Sequence, residues 1–239
     1  MAIKKLVLPV FALFLFIPAA AYAHREDYAD ETLVFLTLRR HEVEPEYWLD
    51  FGRRAGADFM RHSVAVEYGF TDHWMVDSRI SFSGAKGQSL GFESWRLETR
   101  YRFLEEGTLP VDVAVSGEVN AEHAEQEGRT WGEEPRLILS KDIERLNLTL
   151  NLAEEIGLNS DERSFNPSFG IRYDPTKLLR FGAEVRYFSN RQSGAVIPQI
   201  ALKLPHDVTL KFAFSYGVRA DRRTNFGRLA AEAGFGERE

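Results

Sequence analysis

From about residue 46 the chain alternates apolar and polar side chains. Val64, Val66, Tyr68 and Phe70 take every second position against Ser63, Ala65, Glu67 and Gly69. Past Thr71-Asp72-His73, the residues Trp74, Val76, Ile80 and Phe82 alternate with Met75, Asp77, Arg79 and Ser81. Trp95, Leu97, Thr99, Tyr101 and Phe103 share one parity, and Arg96, Glu98, Arg100 and Arg102 the other. Val208, Leu210, Phe212, Phe214 and Tyr216 repeat the pattern near the C-terminus. Successive side chains of a strand point to opposite faces, so this period gives each strand one apolar and one polar face. Cutting at the turn residues predicts about twelve strands. They fall near 46–54, 61–70, 74–83, 91–103, 111–122, 133–141, 146–156, 165–174, 179–189, 195–204, 207–217 and 225–235.

Most of these segments have the ~9–11 residues that a tilted strand needs to cross a bilayer. An even strand number returns both chain ends to one side. Connections near 71–73, 142–145, 175–178 and 205–206 are tight, whereas those near 84–90, 123–132, 157–164 and 218–224 are longer and polar. The 104–110 turn is long for its side and the 190–194 loop short. Short turns on one side and long loops on the other predict an all-β fold, an up-and-down antiparallel transmembrane β-barrel.

The outward parity supports lipid as the surrounding medium. Phe70, Trp74, Phe103, Tyr173 and Phe235 gather at one set of strand ends, and Phe51, Phe82, Phe165, Tyr187 and Tyr216 at the other. Paired aromatic girdles mark membrane interfaces. Mid-strand outward positions carry no charge; an Arg or Lys there would cost roughly 2–4 kcal/mol. Glu93 and Lys141 are expected on this face, at strand ends only. A soluble β-sandwich also alternates, but it would have to bury this face and leave the charged one in water. Pro198, mid-strand, predicts a bulge or a local break in the ladder.

The inward parity collects acids and bases in near balance. The lumen-lining candidates are Glu67, Asp77, Arg79, Arg96, Glu98, Arg100, Arg102, Asp112, Glu118, Arg136, Arg172, Glu184, Arg186, Lys203 and Lys211. A lumen tuned to one ion class should show an excess of one sign. A balanced set points to cross-strand pairs for most of them, with solute contact left to a minority. Arg96, Arg100 and Arg102, with Arg79 on the preceding strand, form the densest basic group; Glu98, Asp77 and Asp112 lie near enough to satisfy it.

Composition fits this picture. The 239 residues carry no cysteine and a formal charge of −6, and the mean hydropathy is −0.30. That hydropathy is too polar for membrane helices but no obstacle to a barrel. The acidic balance argues against nucleic acid as a partner. Lys4 and Lys5, the apolar run Leu6 to Ala20 and Ala21-Tyr22-Ala23 have the form of a signal peptide cleaved after Ala23. Residues 24–45 then precede the barrel of 46–235, either as a periplasmic segment or as a partial plug of the lumen, unless they add a strand. Within them, Leu33 to Leu38 is apolar enough to need cover. A twelve-strand barrel is wide enough to leave a passage beside such a plug. The extension 236–239 follows Phe235 and departs from an aromatic terminus, which bears on recognition by the outer-membrane insertion machinery.

No chemistry of catalysis or cofactor binding emerges. Histidines at 24, 41, 62, 73, 123 and 206 have no metal-ligand spacing. Only His24, at a mature N-terminus, would offer an amine–imidazole chelate. His62-Ser63 are adjacent on a strand and point to opposite faces, so no nucleophile–base pair forms and no enzyme is expected. No Gly-rich phosphate loop is present, and neither a metal nor a cofactor is called for.

The start His24-Arg25-Glu26-Asp27-Tyr28-Ala29-Asp30-Glu31-Thr32-Leu33, the turn Glu67-Tyr68-Gly69-Phe70-Thr71-Asp72-His73-Trp74 and the strand Arg96-x-Glu98-x-Arg100-Tyr101 resemble the outer-membrane barrel family named for the MetA pathway of phenol degradation. The resemblance runs over most of the mature chain. It implies a barrel in the outer membrane and a link to uptake of aromatic compounds, with no binding residues to carry over. Three readings follow. The leading one is a passive or narrow channel for small solutes in the outer membrane of a Gram-negative bacterium, with outer-membrane lipid, the insertion machinery and a small solute as partners. The second is a closed structural or assembly barrel that holds a partner and does not conduct. The third is a soluble periplasmic β-protein.

Overall fold

The computed structural model describes residues 27–30, 32–54, 57–85, 87–124, 128–218 and 225–236. The leader with its cleavage site, the tip at 125–127 and residues 237–239 of the C-terminal extension lie outside the described residues. Thirteen strands follow in order: β1 (Val43–Arg54), β2 (Ala57–Thr71), β3 (Trp74–Ala85), β4 (Gly91–Arg102), β5 (Asp112–Ala124), β6 (Gly128–Ile143), β7 (Leu146–Gly157), β8 (Arg163–Phe165), β9 (Ser168–Tyr173), β10 (Leu179–Phe188), β11 (Ser193–Leu204), β12 (Val208–Val218) and β13 (Phe226–Ala233).

Neighbouring strands of the wall pair antiparallel, and β13 returns to β1 through Glu46↔Glu232, Trp48↔Ala230 and Asp50↔Arg228. Closure leaves no edge and pairs the backbone all the way round, the condition for strands to cross lipid. β8 and β9 both lie on β7 and are two pieces of one wall strand, parted at Asn166-Pro167. Proline has no N–H to give the ladder. The bonding nonetheless runs through the gap, from Asn166 N–H to Ala153 O at 2.8 Å and from Tyr187 N–H to Pro167 O at 3.0 Å. The wall is therefore a closed twelve-strand barrel, as the alternation predicts.

Three local features depart from simple alternation. Between β3 and β4 the register passes from Ser81↔Ser94 to Phe82↔Phe92, a bulge at Glu93. The extra residue turns Glu93 inward, to Arg61 at 2.6 Å, correcting its expected place on the outer face. Secondly, β6 begins at 128, with His123↔Arg129 and Ala124↔Gly128 paired, so the loop expected over 123–132 is mostly a continued ribbon. Gly128 and Gly132 read as loop residues, yet an antiparallel ladder continues wherever its partner strand does. Thirdly, pairing of β11 with β12 lapses at Ile197 and Pro198, while Val196↔Tyr216 and Gln199↔Ala213 keep one register. Pro198 produces the break without a bulge.

The outer wall is apolar. Val66, Ile80, Leu97, Val115, Leu137, Phe169, Val185 and Phe212 are all exposed mid-wall. Phe70 stacks on Trp74 at 4.7 Å, and Tyr101 meets Phe103 edge-on at 5.3 Å, at the end of the short turns. Polar groups on this face find one another: Trp74 Nε1 donates to Thr99 Oγ1 at 2.6 Å, and Tyr47 Oη pairs with His62 Nδ1 at 2.6 Å.

Candidate functional site

The inner wall is lined with charge, and the chain itself fills much of the space. Residues 27–42 enter from the short-turn end, held there by His41 N–H to Gly69 O at 2.7 Å and Gly69 N–H to Glu42 O at 2.9 Å. A Cβ at Gly69 would stand 1.9 Å from the Arg39 carbonyl, so only glycine admits this entry. The segment runs inward and folds back at its tip, where Tyr28 N–H bonds Thr32 O at 3.2 Å. Leu33 and Phe35 pack against Ala114 and Ile138, the cover that the run Leu33 to Leu38 requires.

Wall side chains satisfy the segment's backbone in place of a neighbouring strand. Glu184 accepts from Asp30 N–H at 2.9 Å and from Thr32 N–H at 3.0 Å. Asn151 accepts from Leu33 N–H at 2.8 Å and donates to Leu33 O at 2.9 Å. Gln199 accepts from Ala29 N–H at 2.7 Å, and Lys211 donates to Asp27 O at 2.8 Å. The Tyr28 ring lies over Gly170, where a Cβ would come within 2.5 Å of it, and its hydroxyl donates to Asn147 Oδ1 at 2.8 Å.

Two ion-pair clusters lock the tip. Arg100 grips Asp27 with both terminal nitrogens, at 3.0 and 2.6 Å, and also donates to Val34 O and Leu36 O. Arg228 grips Asp50 at 2.6 and 2.8 Å and reaches Asp30 at 3.0 Å, while Arg186 meets the other Asp30 oxygen at 2.6 Å. Burial pushes the Asp27 carboxyl up, but the Arg100 guanidinium, the Val34 N–H and the Lys211 ammonium together hold it below its ordinary value. A carboxylate whose folded pKa is depressed stabilises the fold above its unfolded pKa, and that stability is lost as pH falls through the folded value. The Asp27 clasp is therefore expected to hold at neutral pH and to release only below about pH 4. Conductance recorded from pH 7 down to pH 3 checks this, and opening at pH 6 would contradict it.

On the long-loop side of the segment lies a vestibule of about 620 Å³. Its floor is Trp48, with the Arg79 guanidinium 3.4 Å and that of Arg228 4.1 Å from the indole centroid. Its walls carry Arg61, Arg96, Arg136, Arg186 and Arg191 among Glu93, Glu118, Glu122, Glu134 and Glu155.

The structure thus divides the lumen candidates. Arg79, Arg96, Glu118, Arg136 and Arg186 meet in the vestibule. Arg100, Arg102, Glu184 and Lys211 hold the N-terminal segment, Arg102 through Thr37 at 3.1 Å. Arg172 stacks over the Tyr28 ring at 5.4 Å. Asp77 and Glu98 are buried beside Arg79 and Arg100 respectively, at 3.6 and 3.3 Å. Asp112 caps the Gly107 N–H of the long periplasm-parity turn at 2.7 Å, and Lys203 is half-buried near the β11–β12 turn. Glu67 is buried without a hydrogen bond or ion pair among the described residues. Sequence reasoning missed Asp27 and Asp30, which no strand parity covers. It also missed Glu44 and Trp48, although stepping back by twos from Asp50 would have found them.

No protein-family model matches the chain, and no curated protein matches it in sequence. Among solved structures it is similar to the KdgM porin in complex with disordered oligogalacturonate, with a TM-score of 0.57 at 10% identity over 82% of this chain and 99% of that one. It is similar to the COG4313 outer membrane channel from Pseudomonas putida F1, with a TM-score of 0.56 at 11% identity over 87% and 99%. It also resembles outer membrane phospholipase A from Escherichia coli, with a TM-score of 0.53 at 9% identity over 90% and 95%. Of the resemblance to the MetA-pathway barrels, these likenesses support the class and not the particular family: the chain has the fold of the outer-membrane β-barrels.

Proposed function

We propose that the protein is an outer-membrane channel for small polar solutes, exported by a leader cleaved after Ala23, with residues 27–42 serving as a plug that narrows its lumen. The observation that carries this reading is the vestibule of about 620 Å³ above the segment, inside a wall whose outer face is apolar. A barrel built only to be closed has no need of a charged chamber facing its long loops. The lining holds seven arginines, namely Arg61, Arg79, Arg96, Arg136, Arg186, Arg191 and Arg228. Five glutamates, 93, 118, 122, 134 and 155, stand among them, and Arg79, Arg186 and Arg228 are paired with Glu46, Asp30 and Asp50, so the chamber is close to charge balance. An oligogalacturonate accompanies the KdgM porin of like fold, which agrees with a polar solute.

Single-channel recording of the purified protein in planar bilayers tests the proposal. Small, discrete ion steps are expected, with little preference between anions and cations in a salt gradient. A silent bilayer would instead favour the closed structural barrel.

A further inference from the structure

At the short-turn end of the lumen, carboxylates converge from four strands. Oxygens of Glu44, Glu46 and Glu232 all lie within 4.8 Å of one another, on three buried residues. Glu44 faces Glu67 directly across β1 and β2, and Glu67 faces Asp77 across β2 and β3. Like charges directly opposite on a sheet repel. Further along the same row, Asp77↔Glu98↔Glu118 has arginines two positions away, Arg79, Arg96 and Arg100. The flanking inward positions of Glu67 are Ala65 and Gly69, which supply no charge.

Glu67 makes this more than an acidic cluster. It is only 6% exposed, and it has no hydrogen bond or ion pair among the described residues. The charged groups that act on it most are Glu46, Asp77, Glu44 and Asp27, all of one sign. The nearest bases are already engaged: Arg79 with Glu46 at 2.5 Å, and Lys211 with Glu232. A buried carboxylate among other carboxylates asks for a cation that the described residues do not supply.

We propose that Glu44, Glu46, Glu67 and Glu232 bind one calcium ion inside the short-turn mouth of the barrel. Carboxylate oxygens are hard ligands, and Ca²⁺ takes them at 2.3–2.6 Å, so ligands on opposite sides of it stand about 5 Å apart. The trio's oxygens, all within 4.8 Å of one another, fit inside that span. Mg²⁺, with shorter bonds and a rigid octahedron, needs ligands about 4 Å apart and fits less well. The site joins β13 to β1 and β2, where the barrel closes and where the N-terminal segment leaves the lumen at Glu42. The inference stands independently of what the channel carries.

The test is equilibrium dialysis with radioactive calcium on protein refolded in detergent free of lipopolysaccharide, whose phosphates bind calcium themselves. One ion per chain is expected, displaced poorly by magnesium, with affinity about tenfold weaker or worse in E67Q and in E44Q. Thermal unfolding gives a second readout with a distinctive sign. In chelator, E67Q is expected to unfold at a higher temperature than wild type, because repulsion is relieved; in calcium the order is expected to reverse. Absence of stoichiometric calcium on the wild-type chain, or undiminished binding in E67Q, would overturn the site.

Discussion

Deleting residues 27–38 is expected to raise single-channel conductance several-fold while leaving the barrel folded. The wall closes through its own ladder from β1 to β13, and no strand pairing is contributed by the deleted stretch. What the deletion removes is material from the lumen: Leu33, Phe35 and Leu38 are each buried there, and Tyr28 sits between Gly170 and Arg172. The wall groups that lose partners, Glu184, Asn151, Arg100 and Lys211, would face water that enters the vacated space. Water replaces a lost hydrogen bond at little enthalpic cost, so the unfolding midpoint should fall modestly. Planar-bilayer recording gives the conductance, and heat-modifiable gel mobility reports whether the barrel is intact. Unchanged conductance in an intact barrel would mean that the segment does not limit flow and that the constriction lies in the wall charges themselves.

How much of this was legible in the sequence depends on what each part obeys. The strands obey a period of two, and their outer face obeys lipid, so Val64 to Phe70 or Val208 to Tyr216 announce themselves. A bulge obeys neither, which is why Glu93 looked lipid-facing until the extra residue between β3 and β4 turned it toward Arg61. Asn166-Pro167 interrupts a strand in its pattern but not in its bonding. The N-terminal segment is the least legible part. Its apolar run showed that cover was needed, but its anchors are single contacts to side chains more than a hundred positions away, such as Leu33 to Asn151 and Asp30 to Arg228. Near-balance of acids and bases pointed to internal pairing, yet two of the pairing partners, Asp27 and Asp30, lay outside every strand. Glu67 was visible as an inward acid. Only the register, which puts Glu44 and Asp77 on either side of it, shows that no base stands opposite it among the described residues.

Replacing Arg228 with methionine is expected to cost about 3–5 kcal/mol of stability, the range for removing one partner from a buried ion pair. Arg228 is 3% exposed and bonds Asp50 twice, Asp30 once and the Ala29 carbonyl at 2.9 Å, and it stacks on Trp48. Methionine keeps the stem against the indole but leaves Asp50 held only by Arg61 at 3.5 Å. Asp30 keeps Arg186, so its loss is partial. The pair Arg53–Asp58 provides the contrast. Its separation is 3.5 Å against 2.6 Å for Arg228–Asp50, its side chains are 74% and 51% exposed, and distance and solvent screening together should hold the effect of R53M within about 1 kcal/mol. Urea unfolding in detergent or vesicles measures both variants. Restoring neutrality with D50N in the R228M background should recover part of the loss, because the two substitutions share one interaction and their costs do not add. If R228M instead behaved like R53M, the vestibule would be wet enough to solvate Asp50 unaided, and the floor at Trp48 would be no barrier to water. The same variant frees the Asp30 tip, so a conductance increase is expected alongside the stability loss, smaller than that of the deletion because Arg100 still clasps Asp27.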